Sequence, residues 1–233
     1  VYELPLLFEQ QELDRIVSDR FDLPDKKENL SGWRKRVEAL QNDSVGTVGI
    51  CGKYMDMEDS YASVEEALKH AAVEEAGRVD IEYIDTEEFD PEKLEGLDGV
   101  VIPGGFGSRG VQGKIDAIRY CRENDIPVLG LCYGLQLMVV EFARNELGID
   151  AVSAEFGDDD REFVVKEMPD QEGVEQKGGT MRLGSYTAVL SGQVREIYGS
   201  DSADERHRHR FEVNPEYHER LEENGMKISG RTR

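Results

Sequence analysis

The sequence predicts an α/β domain: a mostly parallel sheet with helices on both faces, a flavodoxin-like core, and additional short strands in the C-terminal part. Three observations carry this. Strand-length apolar segments alternate with helix-length amphipathic ones from Val45 to Leu147, the rhythm of a sheet built by helical crossovers. The strand segments are apolar enough to be buried. Glycines crowd the carboxyl ends of two of them, Gly104-Gly105 and Gly130 to Gly134, where ligands sit on such sheets.

The elements follow in chain order. Residues 1–44 differ from the rest. Val1 to Pro5 reads as extended, Glu9 to Phe21 as a short helix with Leu13, Ile16 and Val17 on one face, and Trp33 to Leu40 as another. Residues 22–32, with Pro24, Asn29, Ser31 and Gly32, read as a polar connection. This stretch is expected to be a linker or docking arm. The first residue is not methionine, so the chain is expected to be part of something longer, with its domain at residues 45–233. Val45 to Cys51 is the first strand. Ser60 to Ala76 is a helix with Val64, Ala67, Leu68, Ala71 and Val73 inward, ended by Gly77. Val79–Ile84 and Gly99–Pro103 are strands, Val111–Asn124 a helix, Pro127–Leu131 a strand, and Gly134–Leu147 a helix closed by Gly148. After Ser153 come short strand-like pieces at Phe163–Lys166, Gly179–Leu183 and Thr187–Leu190. A helix at Pro215–Asn224 and a strand at Met226–Ser229 follow.

Composition narrows the function. A chain of 233 residues, 38% apolar and 33% charged, can bury a real core. No apolar run reaches membrane-spanning length. Residues 1–20 carry five acidic side chains and no apolar signal segment, so a soluble, cytoplasmic protein is expected. The net charge of −22 would repel a phosphate backbone and argues against nucleic acid as a partner. Acidic residues are spread over the whole chain, with 10 lysines against 18 arginines. That pattern suits high salt, where repulsion between carboxylates is screened. Three cysteines, Cys51, Cys121 and Cys132, make no disulfide framework, and no spacing suggests a metal site.

Cys132 lies in Gly130-Leu131-Cys132-Tyr133-Gly134, between an apolar strand and an apolar helix. This is the cysteine form of a nucleophile elbow. The turn strains the backbone at the nucleophile, so close neighbours must lack a Cβ. The helix amino end is expected to lower the thiol pKa and to help hold an oxyanion. Cys51 and Cys121 read as buried core thiols. The turn Pro103-Gly104-Gly105-Phe106-Gly107 can aim N–H groups at a substrate carbonyl; its spacing does not suit a dinucleotide. A base is also needed. Of the four histidines, His70 reads as structural and His218 as solvated. His207 and His209 sit in the basic run Glu205 to Arg210, suited to gripping a carboxylate. None is expected to be a base ending a late strand.

These residues resemble the class I glutamine amidotransferases, and among them the amidotransferase domains of the CTP synthase family. The resemblance rests on Val1 to Pro5, Gly52-Lys53-Tyr54, Ser63 to His70, Pro103 to Gly110, Gly178 to Gly184 and Glu205 to Asn214, and covers nearly the whole chain. It implies that Cys132 forms a glutamyl thioester, with Gly104, Gly105 and the N–H of Tyr133 holding the oxyanion. It implies a glutamine pocket of Gly105, Tyr133, Gly134, Leu135, Gln136, Glu155 (for the α-amino group) and Arg210 (for the α-carboxylate). Phe106 to Gly113 would be a lid, where GTP acts as activator. Ammonia would pass to an N-terminal synthetase domain that uses ATP, Mg and UTP to make CTP, the intact protein being a homotetramer. No cofactor is expected in residues 45–233. Many relatives have leucine at the position of Tyr133. The general base belongs to a His-Pro-Glu segment that the 233 residues lack, so the domain is expected to be C-terminally incomplete and weakly active alone. Two other readings remain: a stand-alone cysteine hydrolase of the same fold, such as a γ-glutamyl peptidase, and a catalytically silent module binding glutamine or a nucleotide.

If the acidic surface is an adaptation to salt, the melting temperature rises from ~0.1 M to ~2 M NaCl, over which the Debye length shrinks several-fold. Equal or lower stability at high salt would refute the adaptation.

Overall fold

A computed structural model describes residues 1–24, 29–54, 57, 59–157, 160–168 and 182–232. Part of the Gly178–Gly184 motif, and of the strand expected at Gly179–Leu183, lies outside the described residues. The chain divides into two compact units, residues 1–48 with 58–82, and residues 49–57 with 83–233.

The first unit is mostly helical. Helix α1 spans Leu4–Gln10, where the sequence reading expected extended chain. Proline at the first helical turn has its φ preset and lacks an N–H that would go unpaired there anyway. Helix α2 (Leu13–Phe21) is set off by left-handed residues, Glu12 before it and Asp22 after. Helix α3 covers Ser31–Ala39, starting two residues earlier than expected. The indole Nε1 of Trp33 donates to the Tyr2 carbonyl at 2.8 Å. The Tyr2 hydroxyl meets Glu66 and the Nε2 of His70, so His70 does have a structural setting. Helix α4 (Ala62–Glu74) buries Ala72 and half-buries Val64 and Leu68. Ala67 and Ala71 are exposed, so its inner stripe runs at i, i+4, i+8. Ala76, not Gly77, takes the left-handed position at its end, with φ 59°, and the Gly77 N–H closes the turn on the Ala72 carbonyl at 3.1 Å. Gly77 is needed for space instead: a Cβ there would lie 2.3 Å from Val45 Cγ1.

The second unit takes in the carboxyl-terminal halves of β1 (Ser44–Gly52) and β2 (Arg78–Asp85), then β3 (Gly99–Ile102), α5 (Val111–Glu123), β4 (Val128–Gly130) and α6 (Tyr133–Asn145). The strand order β2-β1-β3-β4 is the flavodoxin-like order, whose switch point lies between β1 and β3. Strands β3 and β4 are parallel, with Ile102 opposite Gly130. Helices flank the parallel sheet, and α5 and α6 pack side by side. Ile84, Leu94, Ile102, Leu137 and Val140 are almost completely buried. Arg122 on α5 grips Glu141 on α6, Nη2 to Oε1 3.0 Å, and that carboxylate is 1% exposed. This ion pair locks the two helices beneath the site.

The rest is β5 (Ala151–Ser153), β6 (Glu162–Glu167), β7 (Arg182–Leu190), α7 (Gly192–Tyr198), β8 (Ser202–His209), β9 (Phe211–Val213), α8 (His218–Glu223) and β10 (Gly230–Thr232). They form two three-stranded sheets, β5-β6-β9 and β10-β7-β8. The helix expected at Pro215–Asn224 opens with a 3₁₀ turn, Pro215–Tyr217, capped by the Asn214 side chain. Met226–Ser229 is not a strand. Pairing begins only at Gly230 opposite Leu190, because the partner strand, not the local apolar pattern, sets the register. From Asp204 to His209 strand β8 holds only charged residues and histidines, so the sequence shows a basic run suited to a carboxylate there and no strand pattern.

Both glycines flanking Cys132 are dictated by contact. A Cβ on Gly130 would lie 2.6 Å from the Gly134 carbonyl carbon, and one on Gly134 only 2.0 Å from the Ile102 carbonyl oxygen. Gly134→Ala must push α6 off β3, and urea unfolding should show a loss of about 3 kcal/mol or more. A loss under ~1 kcal/mol would mean that this contact does not set the turn.

Candidate active site

The elbow is built from backbone bonds. At the end of β4, the Leu131 N–H donates to the Ile102 carbonyl at 2.9 Å. The Gly134 N–H returns to the Leu131 carbonyl at 2.9 Å, and the Gln136 N–H reaches the Cys132 carbonyl at 3.2 Å. Cys132 between them sits at φ 52°, ψ −102°, outside the regions that L residues favour, a strain of about 1–3 kcal/mol that the surrounding turn imposes. It is the N-cap of α6 and is exposed, whereas Cys51 and Cys121 are buried.

Burial is the largest influence on the Cys132 thiol and raises its pKa; the Tyr133 N–H lowers it and the Glu155 carboxylate raises it. The net direction is upward, against the sequence expectation. The helix end does act as expected, through Tyr133 N–H, but removal of the sulfur from water outweighs one N–H. The other two thiols are also pushed up by burial, Cys51 to about 12 and Cys121 to about 11.

Three other chain segments converge on this turn. The first is the glycine turn after β3. A Cβ on Gly104 would lie 3.7 Å from Cys132 Cβ, and one on Gly105 3.5 Å from the Tyr133 ring. The Tyr133 hydroxyl donates to the Gly107 carbonyl at 2.6 Å. The second is the segment after β5, where Glu155 Oε1 accepts from the Gly107 N–H at 2.8 Å and Phe156 meets the Tyr133 ring edge-on at 6.4 Å. The third is the β8–β9 corner. The Arg208 carbonyl lies 3.7 Å from Cys132 Sγ, and the Phe211 carbonyl accepts from Gln136 Nε2 at 3.4 Å. The other side-chain atom of Gln136, Oε1, is buried without a hydrogen-bond partner.

The sequence-predicted residues fall into place unequally. Cys132, Gly104, Gly105, Tyr133, Gln136 and Glu155 meet through these contacts. Arg210 follows the corner, 7% exposed, and its Nη1 lies 3.4 Å from Glu167 Oε1. Gly134 spends its N–H on the turn and its Cα on Ile102. Leu135 is 51% exposed. His209 does end a late strand, unlike the sequence expectation, but both of its ring nitrogens are engaged. Nδ1 meets the Phe211 carbonyl at 3.0 Å, and Nε2 meets His207 Nδ1 at 2.9 Å. A carbonyl only accepts, so His209 Nδ1 carries the proton and His207 donates to Nε2. His218 opens α8, half-buried.

Two buried lysines were missed. Lys114 of α5 is 1% exposed and 5.6 Å from the Tyr133 ring centroid; burial, then nearby Lys53, lowers it to about 8. Lys53, after β1, donates to the Phe106 carbonyl at 2.6 Å. The signal for Lys114 was present, since it shares an apolar helix face with Val111, Ile115 and Ile118. Among the described residues no cluster of three His, Cys, Asp or Glu side chains could hold a metal ion.

Comparison with known proteins identifies the family. The family model for glutamine amidotransferase class-I matches residues 56–233. A CTP synthase of Methanocaldococcus jannaschii is 46% identical over 246 residues, covering 100% of this chain and 46% of that protein. One from Pyrococcus abyssi is 49% identical, covering 98% of this chain and 44% of that protein. The chain thus spans about half the length of these curated relatives. A solved structure of the Trypanosoma brucei CTPS glutaminase domain with bound acivicin matches at 37% identity and TM-score 0.74, covering 81% of this chain and 76% of that one.

A raised thiol pKa has a direct readout. Alkylation of Cys132 by iodoacetamide, followed by peptide mass spectrometry against pH, should show a midpoint above that of an ordinary thiol. Glu155→Gln removes a charge that raises the thiol and should move the midpoint down. An unmoved or higher midpoint would contradict the assigned cause.

Proposed function

The chain belongs to the class-I glutamine amidotransferase family, and we propose that it is the glutamine-hydrolysing part of a CTP synthase, with Cys132 as nucleophile. The observation that carries the reading is a strained cysteine at a helix amino end, facing a glycine turn, with a buried, unpartnered amide oxygen one helical turn away. Gln136 Nε2 is committed to the Phe211 carbonyl, so the amide cannot be flipped, and Oε1 is left as an acceptor without a donor. An unmet buried acceptor costs about 1–3 kcal/mol. A substrate that brings N–H groups offsets that cost.

In the proposed mechanism the Cys132 thiolate attacks the γ-carboxamide carbon of L-glutamine. The oxyanion is held by the Tyr133 N–H and an N–H of the Gly104-Gly105 turn. Ammonia leaves, and water then cleaves the thioester to glutamate. Glu155 receives the α-ammonium and Arg210 the α-carboxylate, which gives Glu155 and Arg210 a further partner each. Tyr133, Gln136 and Gly105 line the pocket, with Gly134 and Leu135 supporting the turn. A base must take the proton, because the thiol is raised rather than lowered. His209 is committed elsewhere, so we assign this role to a histidine of the longer protein. By the same reading residues 1–44 are a docking arm toward a synthetase domain that uses ATP, Mg and UTP. The lid from Phe106 to Gly113 is where GTP would act. A cytoplasmic homotetramer adapted to high salt completes the proposal.

In the full-length protein, 6-diazo-5-oxo-norleucine should label Cys132 stoichiometrically, and glutamine should slow the labelling. Cys132→Ser should abolish glutamine-dependent but not ammonia-dependent CTP formation. Failure of the reagent to label Cys132 would overturn the proposal.

A further inference from the structure

We infer that the Tyr133 hydroxyl is the latch that keeps the Gly104–Gly107 turn in register with the nucleophile while Glu155 turns to the substrate. The inference rests on the glutamine-hydrolysing reading above. Three bonds hold two consecutive peptide groups of that turn. Lys53 Nζ donates to the Phe106 carbonyl at 2.6 Å, Tyr133 Oη donates to the Gly107 carbonyl at 2.6 Å, and the Gly107 N–H donates to Glu155 Oε1 at 2.8 Å.

The three differ in what a substrate does to them. An amino-acid ammonium at Glu155 makes a charge-assisted bond, stronger than one backbone N–H can offer. The Gly107 N–H therefore loses part of its acceptor when the site fills. Lys53 stands after β1 and reaches the turn through a long flexible side chain, its ammonium 4.9 Å from the Phe106 ring centroid, so that side chain can follow the turn as it moves. Tyr133 cannot. It is the first residue of α6, its N–H faces the Cys132 sulfur, and its ring is 2% exposed, held edge-on by Phe156. The backbone of one residue thus touches the nucleophile while its side chain touches the loop. Movement of Gly107 relative to Cys132 must break the hydroxyl bond. Burial raises the phenol pKa, so the hydroxyl remains a donor throughout the neutral range. Tyr133 is in this respect a positioning residue, acting on the oxyanion-binding turn through Gly107.

Tyr133→Phe removes the latch and keeps the buried ring. In the full-length protein we expect kcat for glutamine hydrolysis to fall about tenfold, with KM within about threefold, because the turn loses register while the α-amino and α-carboxylate contacts persist. Phe106 is 66% exposed, and chymotryptic cleavage after it should quicken about tenfold, because cleavage tracks the opened population. Unchanged kcat and unchanged cleavage would overturn the latch. So would a loss carried entirely by KM without faster cleavage, which would make the hydroxyl a substrate contact. If 6-diazo-5-oxo-norleucine fails to label Cys132 in the unsubstituted protein, the parent reading falls and this inference with it. Labelling there, with an indifferent Tyr133→Phe, removes this inference alone.

Discussion

The geometry of the site depends on one close approach, that of the first turn of α6 to the end of β3. The Ile102 carbonyl is met on one side by the Leu131 N–H at 2.9 Å. On the other side is the bare Cα of Gly134, where a Cβ would stand 2.0 Å away. No other residue type permits that distance. Once α6 is that close, two residues, Leu131 and Cys132, must carry the chain from strand to helix, and the angular cost falls on Cys132. The strain at Cys132 follows from packing these two core elements tightly, and the Arg122–Glu141 pair ties α6 to its neighbour α5.

Electrostatics then acts on a thiol whose position is already fixed. A chain of net charge −22 is a poor place to make a thiolate, and Glu155 adds a nearby negative charge. The Tyr133 N–H opposes that field, but by less than burial raises the thiol. The balance still leaves the thiol raised, so the resting site holds a protonated sulfur against the Arg208 carbonyl. Such a thiol is protected from adventitious reaction and depends on proton removal when substrate is present.

The parallel core was legible because β1, β3 and β4 are largely apolar, β2 alternates as a strand does, and the helices carry stripes, which few alternative folds can satisfy. The elbow was legible because glycine at two fixed offsets from a cysteine has a steric meaning. What was not legible depended on partners. Strand β8 is stabilised by its long antiparallel pairing with β7, and a strand of charged residues held by a ladder looks like a solvated run in one dimension. The last strand was placed four residues early for the same reason. Val1 to Pro5 failed differently: proline was read as an extended-chain residue when it occupied the one helical turn that tolerates it. Glu155 and Arg210 came from family resemblance alone, since an isolated glutamate or arginine has no local signature.

The directions of the remaining costs bear on how such a site works. The strained Cys132, the raised thiol, the Gln136 oxygen without a partner among the described residues and a Glu155 carboxylate that accepts from the Gly107 N–H are each local costs. On the proposed function, free L-glutamine would answer three of them: a carbonyl carbon for the sulfur, N–H donors for the amide oxygen, an ammonium for the carboxylate. Water relieves some of these but not the first, and a larger peptide lacks a free ammonium beside the side-chain amide. On that proposal, selectivity for the free amino acid would need no steric filter of its own. It follows from a site whose local instabilities are mutually consistent, which is what differential binding of a reacting substrate requires. The Tyr133 to Gly107 bond lies outside this set, and as the latch inferred above it would let the others change without the turn losing its place.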